Sequence, residues 1–448
     1  MTVPRTICLG FLAVIAVGTL LLMLPFSTTD AQFDWPHLLV ALFTATSAVC
    51  VTGHIVVDTA TYFSSVGHLI IAGLVQIGGL GYMTATTFLL LLLGRRFGLK
   101  DKIALQQALD RTGLQGATQL LRSIIATTMI FEITGAFLLL LVFAPQYGLG
   151  YGLWLSIFHS VSAFNNAGFS LFSDNLVGYQ SNLLINLVIP GLIIFGGIGY
   201  DVIFELYLLL RERFQGNRNP LILSLNFKVA VTTTIILLTV GTIAIFMVES
   251  RNPATLADKD LATQILASWF QSATARTAGF NTIDNGKLTA TALFITIALM
   301  FIGGSPGGTA GGIKTTTLRV LTTCTKAVLQ GKDEIILYER QIPLPMVIKA
   351  IGVFVGSVTV VIVLTIIMSL TDPELEFIQI LFEVTSGFGT VGLSTGVTLT
   401  DHFSVFAKLV LIASMYIGRV GILLLMSSIL GDPKPSFVRY PEENLLVG

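Results

Sequence analysis

The sequence predicts an all-α membrane protein. Four tandem modules, each a helix, a re-entrant pore helix and a second helix, surround a pseudo-fourfold central pore. Three observations carry this. The 448 residues are 53% apolar and only 11% charged, whereas a soluble domain carries about 25% charged residues. Apolar runs near the ~20 residues that cross a bilayer alternate with runs too short to cross. One stretch recurs four times, as FTATSAVCVTGH (43–54), FHSVSAFNNAGF (158–169), WFQSATARTAGF (269–280) and FEVTSGFGTVGL (382–393).

Module one (1–110) opens on Arg5 and the apolar run 7–26. That run is longer than a signal-peptide core and lacks a small-residue cleavage site, so it reads as a retained spanning helix. The short segment 35–49 dips, and 66–93 spans. Module two (111–220) repeats this with 124–144, 154–164 and 183–210. Module three (221–340) uses 229–248, 261–275 and 288–302, its last helix breaking at Gly303. Module four (341–430) uses 347–370, 377–388 and 406–430, and 431–448 is a cytoplasmic tail. Each module crosses an even number of times, so all four share one orientation and can close around an axis along the membrane normal. The inverted repeats of rocking transporters need an odd number.

The charges orient the chain. Nineteen of the 25 Lys and Arg lie at the termini and in the loops joining the modules. The positive-inside rule puts these, and both termini, in the cytoplasm of a multi-pass plasma-membrane protein. The opposite side carries acids such as Asp58, Asp174, Asp284 and Asp401. Singly these are solvated loop ends; together they make a weak field that concentrates cations. Cys8, Cys50 and Cys324 fall at different depths and have no metal-ligand spacing. No basic, aromatic-interleaved patch for nucleic acid is present.

Each repeat opens on an aromatic residue (Phe43, Phe158, Trp269, Phe382) and reaches a glycine ten residues later (Gly53, Gly168, Gly279, Gly392). The three residues before the glycine vary: Cys50-Val51-Thr52, Asn165-Asn166-Ala167, Arg276-Thr277-Ala278 and Gly389-Thr390-Val391. Invariant glycine with variable side chains is expected where main chain does the coordinating. Four loops on one axis present rings of carbonyl oxygens that replace a monovalent cation's hydration shell, and Thr-Val-Gly is what a potassium filter uses. These sixteen residues are therefore the candidate K+ site. The competing reading is four helix-terminating glycines. Arg276 beside a cation path is expected to turn behind the filter and pair with Glu383, giving Glu383 a filter-supporting role.

A second candidate is the run Gly303-Gly304-Ser305-Pro306-Gly307-Gly308-Thr309-Ala310-Gly311-Gly312, followed by Ile313 and Lys314. A lipid-facing helix would not tolerate it. It belongs in the pore, as a gate. Milder glycine clusters at 78–81, 196–199 and 418–421 occupy matching places and read as kinks or close-packing points. Arg419 lies in the last of them, and its five donors suit it to hold the run's carbonyls and close the pore. Glu132, Asp201 and Glu205 also interrupt apolar stretches. Gly303–Gly307 matches the nucleophile-elbow pattern without its strand context. Ile313 spoils a phosphate-loop ending, so no nucleotide site and no enzyme are expected.

The fourfold filter pattern, the GGIK ending (311–314), IGRVG (417–421) and the tail RYPEENLLVG (439–448) resemble the Trk/Ktr/HKT superfamily of potassium transporters, nearest to KtrB-type membrane subunits. The resemblance covers essentially the whole chain. It implies M1-P-M2 modules, potassium uptake with sodium as a candidate driving ion, and a gating loop at the glycine run faced by Arg419. It also implies a homodimer seated on a cytoplasmic ring of KtrA-type nucleotide-binding regulatory subunits. Gly53 favours potassium over sodium. His54 stands where such chains commonly have leucine, and Pro306 gives the loop a Trk-like style. The alternatives are a sodium-selective or non-selective cation channel of the same fold and, remotely, a serine hydrolase using Ser305 with His159.

Overall fold

A computed structural model describes residues 3–29, 35–81, 117–216, 223–400 and 403–430. The tail 431–448, Asp401 and the end of the run 66–93 lie outside the described residues. Module one contributes α1 (Val3–Leu22), α2 (Trp35–Val49) and α3 (Ser65–Leu80). Module two contributes α4 (Ala117–Tyr147), α5 (Leu149–Phe164), α6 (Leu183–Ile198) and α7 (Tyr200–Phe214). Module three contributes α8 (Leu225–Glu249), α9 (Leu261–Thr274), α10 (Ala290–Phe301) and α11 (Thr315–Leu329), then strands β1 (Ile336–Leu337) and β2 (Arg340–Gln341). Module four contributes α12 (Leu344–Thr371), α13 (Phe377–Gly389), α14 (Val405–Val420) and α15 (Ile422–Leu430).

The first helix of each module, α1, α4, α8 and α12, is long and apolar enough to cross a membrane. These helices stand on the outside. On α4, Ile130, Ile133, Phe137 and Leu141 repeat at helical spacing and are all more than half exposed. An apolar stripe of that kind suits lipid rather than water. The buried aromatics Phe43, Phe158, Phe270 and Phe382 instead sit on the pore helices, inside the bundle.

The second helices start alike. Ser64, Asn182, Thr289 and Ser404 each cap one, the side chain accepting from the backbone N–H three residues on. That answers part of the need of a helix N-terminus for acceptors, which lipid cannot supply. In modules three and four a buried carboxylate from the first helix's end reinforces the cap. Glu249 accepts from Thr289 N (3.0 Å) and Thr289 Oγ1 (2.7 Å), and from Asn252 Nδ2 (2.8 Å) and Thr255 Oγ1 (2.5 Å). Asp372 accepts from Ser404 N (3.1 Å) and Ser404 Oγ (2.8 Å).

Three of them, in modules one, two and four, also end alike, and more sharply than kinks. Helix α3 stops at Gly81 (φ 79°), α6 at Gly199 (φ 99°) and α14 at Gly421 (φ 82°). Helices α6 and α7 meet at 106°, and α14 and α15 at 93°. Left-handed φ at the last glycine ends the hydrogen-bond ladder, so the chain turns rather than bends. The first glycine of each cluster is a close-packing point. A side chain on Gly78, Gly196 or Gly418 would collide with the carbonyl oxygen of Val49, Phe164 or Phe388, on the last turn of a pore helix.

Each second helix packs on the pore helix of the next module: α3 on α5, α6 on α9, α10 on α13, and α14 back on α2. The cycle therefore closes. Helix α15 lies against α1, where Arg5 Nε donates to Ser428 O (2.7 Å), and from α14 Tyr416 Oη donates to Cys8 O of α1 (2.9 Å). One short hairpin departs from the all-helical expectation. Strands β1 and β2 pair antiparallel through Ile336–Gln341 and Leu337–Arg340, and Tyr338 and Glu339 turn with positive φ, the two-residue turn that matches strand twist.

Replacing Glu249 with alanine strands four donors at the α8–α10 junction. The expected cost is about 1.5–3 kcal/mol, the range for hydrogen bonds to a charged group, read as a lower thermal midpoint in detergent. Asp258→Ala, at an exposed loop position, should leave the midpoint unchanged.

Candidate ion pathway

The four repeated loops adopt one backbone. Val51 (φ 55°), Asn166 (φ 58°), Thr277 (φ 65°) and Thr390 (φ 51°) are left-handed, and two residues later so are Gly53 (φ 85°), Gly168 (φ 69°), Gly279 (φ 82°) and Gly392 (φ 86°). The residue between each pair is not. A backbone whose handedness alternates swings successive peptide planes so that consecutive carbonyls can face one side. A β-branched residue such as Val51 in this region is an outlier. Four side-chain-bearing outliers at one register are a shared strained geometry of the kind that clusters at functional sites.

The loops meet. A methyl group built on Gly53 would lie 3.0 Å from Gly168 Cα, one on Gly168 2.8 Å from Gly279 Cα, one on Gly279 3.4 Å from Gly392 Cα, and one on Gly392 2.9 Å from Gly53 Cα. The glycines thus form a closed four-membered circuit with no room for side chains. Residues 50–53, 165–168, 276–279 and 389–392 are all buried. The arrangement can offer carbonyl oxygens, and the negative ends of four short helices, to a cation on the common axis. No cluster of His, Cys, Asp or Glu suited to a metal occurs among the described residues.

Hydroxyl straps hold the loops to their helices. Ser162 Oγ donates to Phe169 O (2.8 Å), Thr274 Oγ1 to Phe280 O (2.5 Å) and Ser386 Oγ to Leu393 O (2.6 Å). Each acceptor is the carbonyl just past the repeat's glycine. Sequence reasoning overlooked these residues, although Ser47, Ser162 and Ser386 share one position in the repeat. Module three has Ala273 there, and the next residue, Thr274, takes over. Ser47 Oγ is buried without a partner.

Arg276 does not pair with Glu383. Its Nη2 donates to Gly303 O at 3.1 Å, and it is 7% exposed. Glu383 lies elsewhere on the circuit. Its Oε1 accepts from Ser394 Oγ (3.0 Å), Thr395 N (2.8 Å) and Thr395 Oγ1 (2.9 Å), pinning the chain that leaves the fourth loop. Its Oε2 lies 3.6 Å from His54 Nδ1, both side chains fully buried. The sequence showed a cation and a carboxylate close to the filter but not which neighbour each faces. A carbonyl, that of Gly303, and not a carboxylate receives the guanidinium.

Asn165 also has a role behind its loop. Its Nδ2 donates to Gln76 Oε1 (2.9 Å) and Glu132 Oε1 (2.9 Å), joining modules one and two. This accounts for Glu132 in an apolar helix. Glu205 accepts from Ser224 N (3.0 Å), linking α7 to the start of α8.

The glycine run 303–312 crosses beneath the circuit. Gly303 N donates to Ile313 O (2.8 Å), Ser305 N to Gly197 O (2.8 Å), Thr309 N to Gly196 O (3.0 Å) and Thr315 N to Gly304 O (3.0 Å). Thr309 Oγ1 donates to Asn166 Oδ1 (2.9 Å), and Lys314 Nζ to Ala310 O (2.5 Å). A side chain on Gly311 would strike the Thr390 hydroxyl; one on Gly303 would come 3.2 Å from Thr277 Cγ2. Arg419 Nη1 donates to Thr309 O and Nη2 to Gly78 O, so one guanidinium from module four ties the run to module one. Two arginines therefore grip the run, at Gly303 and at Thr309. Ser305 Oγ pairs with Thr315 Oγ1 (2.7 Å), and the His159 ring with Leu155 O (2.8 Å) and Ser170 Oγ (3.0 Å). The hydrolase alternative fails on that geometry.

The straps predict a graded result. Ser162→Ala and Ser386→Ala should each destabilise the fold by about 1 kcal/mol, the worth of a buried hydrogen bond, read as a lower thermal midpoint. Ser47→Ala, which breaks no bond, should cost less. Equal losses at all three positions would refute the strap reading.

The family model described as TrkH, cation transport protein, matches residues 9–434. The chain is 40% identical to "Ktr system potassium uptake protein B" of Bacillus subtilis, covering 100% of this chain and 97% of that one. It is 37% identical to the protein of the same name from Vibrio alginolyticus (99% and 95% covered) and 37% identical to "Potassium/sodium uptake protein NtpJ" of Enterococcus hirae (99% and 97%). The solved structure of the potassium transporter TrkH from Vibrio parahaemolyticus shares the fold, with a TM-score of 0.70 at 20% identity, covering 95% of this chain and 85% of that one. With a family model spanning nearly its whole length and relatives of this similarity, the chain belongs to the TrkH family of cation transport proteins.

Proposed function

We propose that the chain is the membrane-spanning subunit of a potassium uptake system. The observation that supports this most directly is the closed circuit of Gly53, Gly168, Gly279 and Gly392, each with a left-handed residue two positions before it. Potassium is dehydrated by backbone oxygens of residues 50–53, 165–168, 276–279 and 389–392, and it is cargo rather than a resident cofactor. Thr-Val-Gly in the fourth loop and glycine at all four positions favour potassium over a sodium-selective or non-selective pathway. The names of the relatives, which include both potassium and sodium, support potassium as cargo and sodium as the coupling ion.

The run 303–312 is the gate. Arg276 and Arg419 are its latch, and what supports this is that their donors occupy carbonyls that would otherwise need water. Movement of α11, which continues directly from the run, is the natural way to pull it aside. The termini and basic loops face the cytoplasm of a bacterial plasma membrane. There a KtrA-type nucleotide-binding ring beneath a homodimer is the regulatory partner this reading calls for.

The deciding experiment is rubidium and sodium uptake into vesicles holding the purified chain, beside rescue of a potassium-uptake-deficient bacterium with and without a regulatory subunit. Rubidium uptake exceeding sodium uptake, and rescue at low potassium, are expected. Uptake of sodium alone would replace the potassium assignment. Arg419→Ala should raise rubidium flux without the regulator, and Arg276→Gln should do so to a smaller degree, since it frees one carbonyl instead of two. Loss of flux in both variants, with unchanged thermal stability, would overturn the latch.

A further inference from the structure

A second polar site lies away from the ion path. The basic face of α11, the loop after it and strand β1 line a half-open cavity of about 360 Å³. Arg319 and Lys326 enter it from α11, two turns apart, with the Thr322 and Thr323 hydroxyls between them; Lys332 and Glu334 come from the loop. Both threonine hydroxyls donate to Arg319 O. Arg319 Nε is buried with no hydrogen-bond partner. Among the described residues none of the three cations is paired with a carboxylate. Three positive charges face one negative charge, so the site is built for an anion.

Position and size narrow the ligand. Tyr338 of the hairpin pairs with Thr232 Oγ1 (2.8 Å), and Lys228 Nζ lies 5.9 Å from the Tyr338 ring centre. Both contacts are within the first turns of α8, a membrane-crossing helix, and α12, another, starts just past β2. The cavity therefore sits at the end of the spanning helices, at headgroup level, on the side remote from the glycine circuit. Apolar side chains beside it are exposed: Leu329 is 83% exposed, Val328 70% and Ile336 54%. Its volume is about ten times the ~30 Å³ share of one water in the liquid. That is more room than inorganic phosphate fills, and enough for a phosphodiester headgroup.

We infer that this cavity binds a phosphate group, carried by an anionic phospholipid headgroup or by free phosphate. Basic pockets at this depth are suited to anionic headgroups, and flanking apolar residues suit an acyl chain. Because α11 follows directly on the glycine run through Lys314, an occupant fixes the helix that the run hangs from. Binding itself does not depend on the ion-transport reading.

The test is thermal unfolding of the full chain in detergent with short-chain phosphatidylglycerol, short-chain phosphatidylcholine or inorganic phosphate at matched concentration. A ligand that binds only the folded protein raises the midpoint. Phosphatidylglycerol is expected to raise it by several degrees and phosphatidylcholine not to. The shift should vanish in the triple variant Arg319→Gln, Lys326→Gln, Lys332→Gln and shrink in Lys326→Gln, Lys332→Gln, which changes only exposed residues. Glu334→Gln, which removes the repelling charge, should enlarge it. An equal shift with inorganic phosphate supports the site and assigns it to free phosphate. Equal shifts with both lipids, a shift retained in the triple variant, or no shift with either anion would overturn the proposal.

Discussion

Four stretches of backbone leave helical geometry in the middle of an apolar bundle, and every amide and carbonyl they release must be answered without lipid's help. That requirement organises the molecule. The amides of Thr52, Ala167 and Val391 reach back to Ser47, Ser162 and Ser386 carbonyls at 2.7–2.8 Å, and that of Ala278 to Thr274 O at 3.0 Å. The strap hydroxyls take the carbonyl after the glycine. The glycine run meets the same constraint with other means. Its amides use the broken end of α6, and its carbonyls use the donors of Arg276 and Arg419.

Close approach is the second theme. Gly78, Gly196 and Gly418 bring three second helices against the pore-helix ends, and the four loop glycines let the loops touch one another. Module three departs from this pattern. Its second helix ends at Phe301, and the run 303–312 fills the space under the other loops instead. Among the described residues, one module out of four gives up its symmetry at this place.

Much of this was legible in the sequence because it repeats. Aromatic-to-glycine spacing located all four loops, and the run of glycines located the segment that breaks the second helix of module three. The short pore helices fell within a few residues of their expected bounds. Three features were not legible. Breaks near 100° at Gly199 and Gly421 look like ordinary kinks in a hydropathy trace, since periodicity reports burial and not the sign of φ. The partner of Arg276 depends on which of several groups at equal depth it faces, and sequence carries no such distance. The Ser162 and Ser386 straps were visible as a repeated hydroxyl, but a serine in a helix has a local carbonyl as its default partner, so nothing marked them out.

The contact of α15 with α1 has a topological consequence. Module four also meets module one through α14 on α2, the neighbour relation that joins one to two and two to three, and Arg5 and Ser428 bring the first and last described helices side by side. Seen down its axis the protein is a wheel with no privileged first spoke. Where its polypeptide is cut is then a matter of connectivity rather than of architecture. A circular permutant opened between two other modules would present the same wheel to the bilayer.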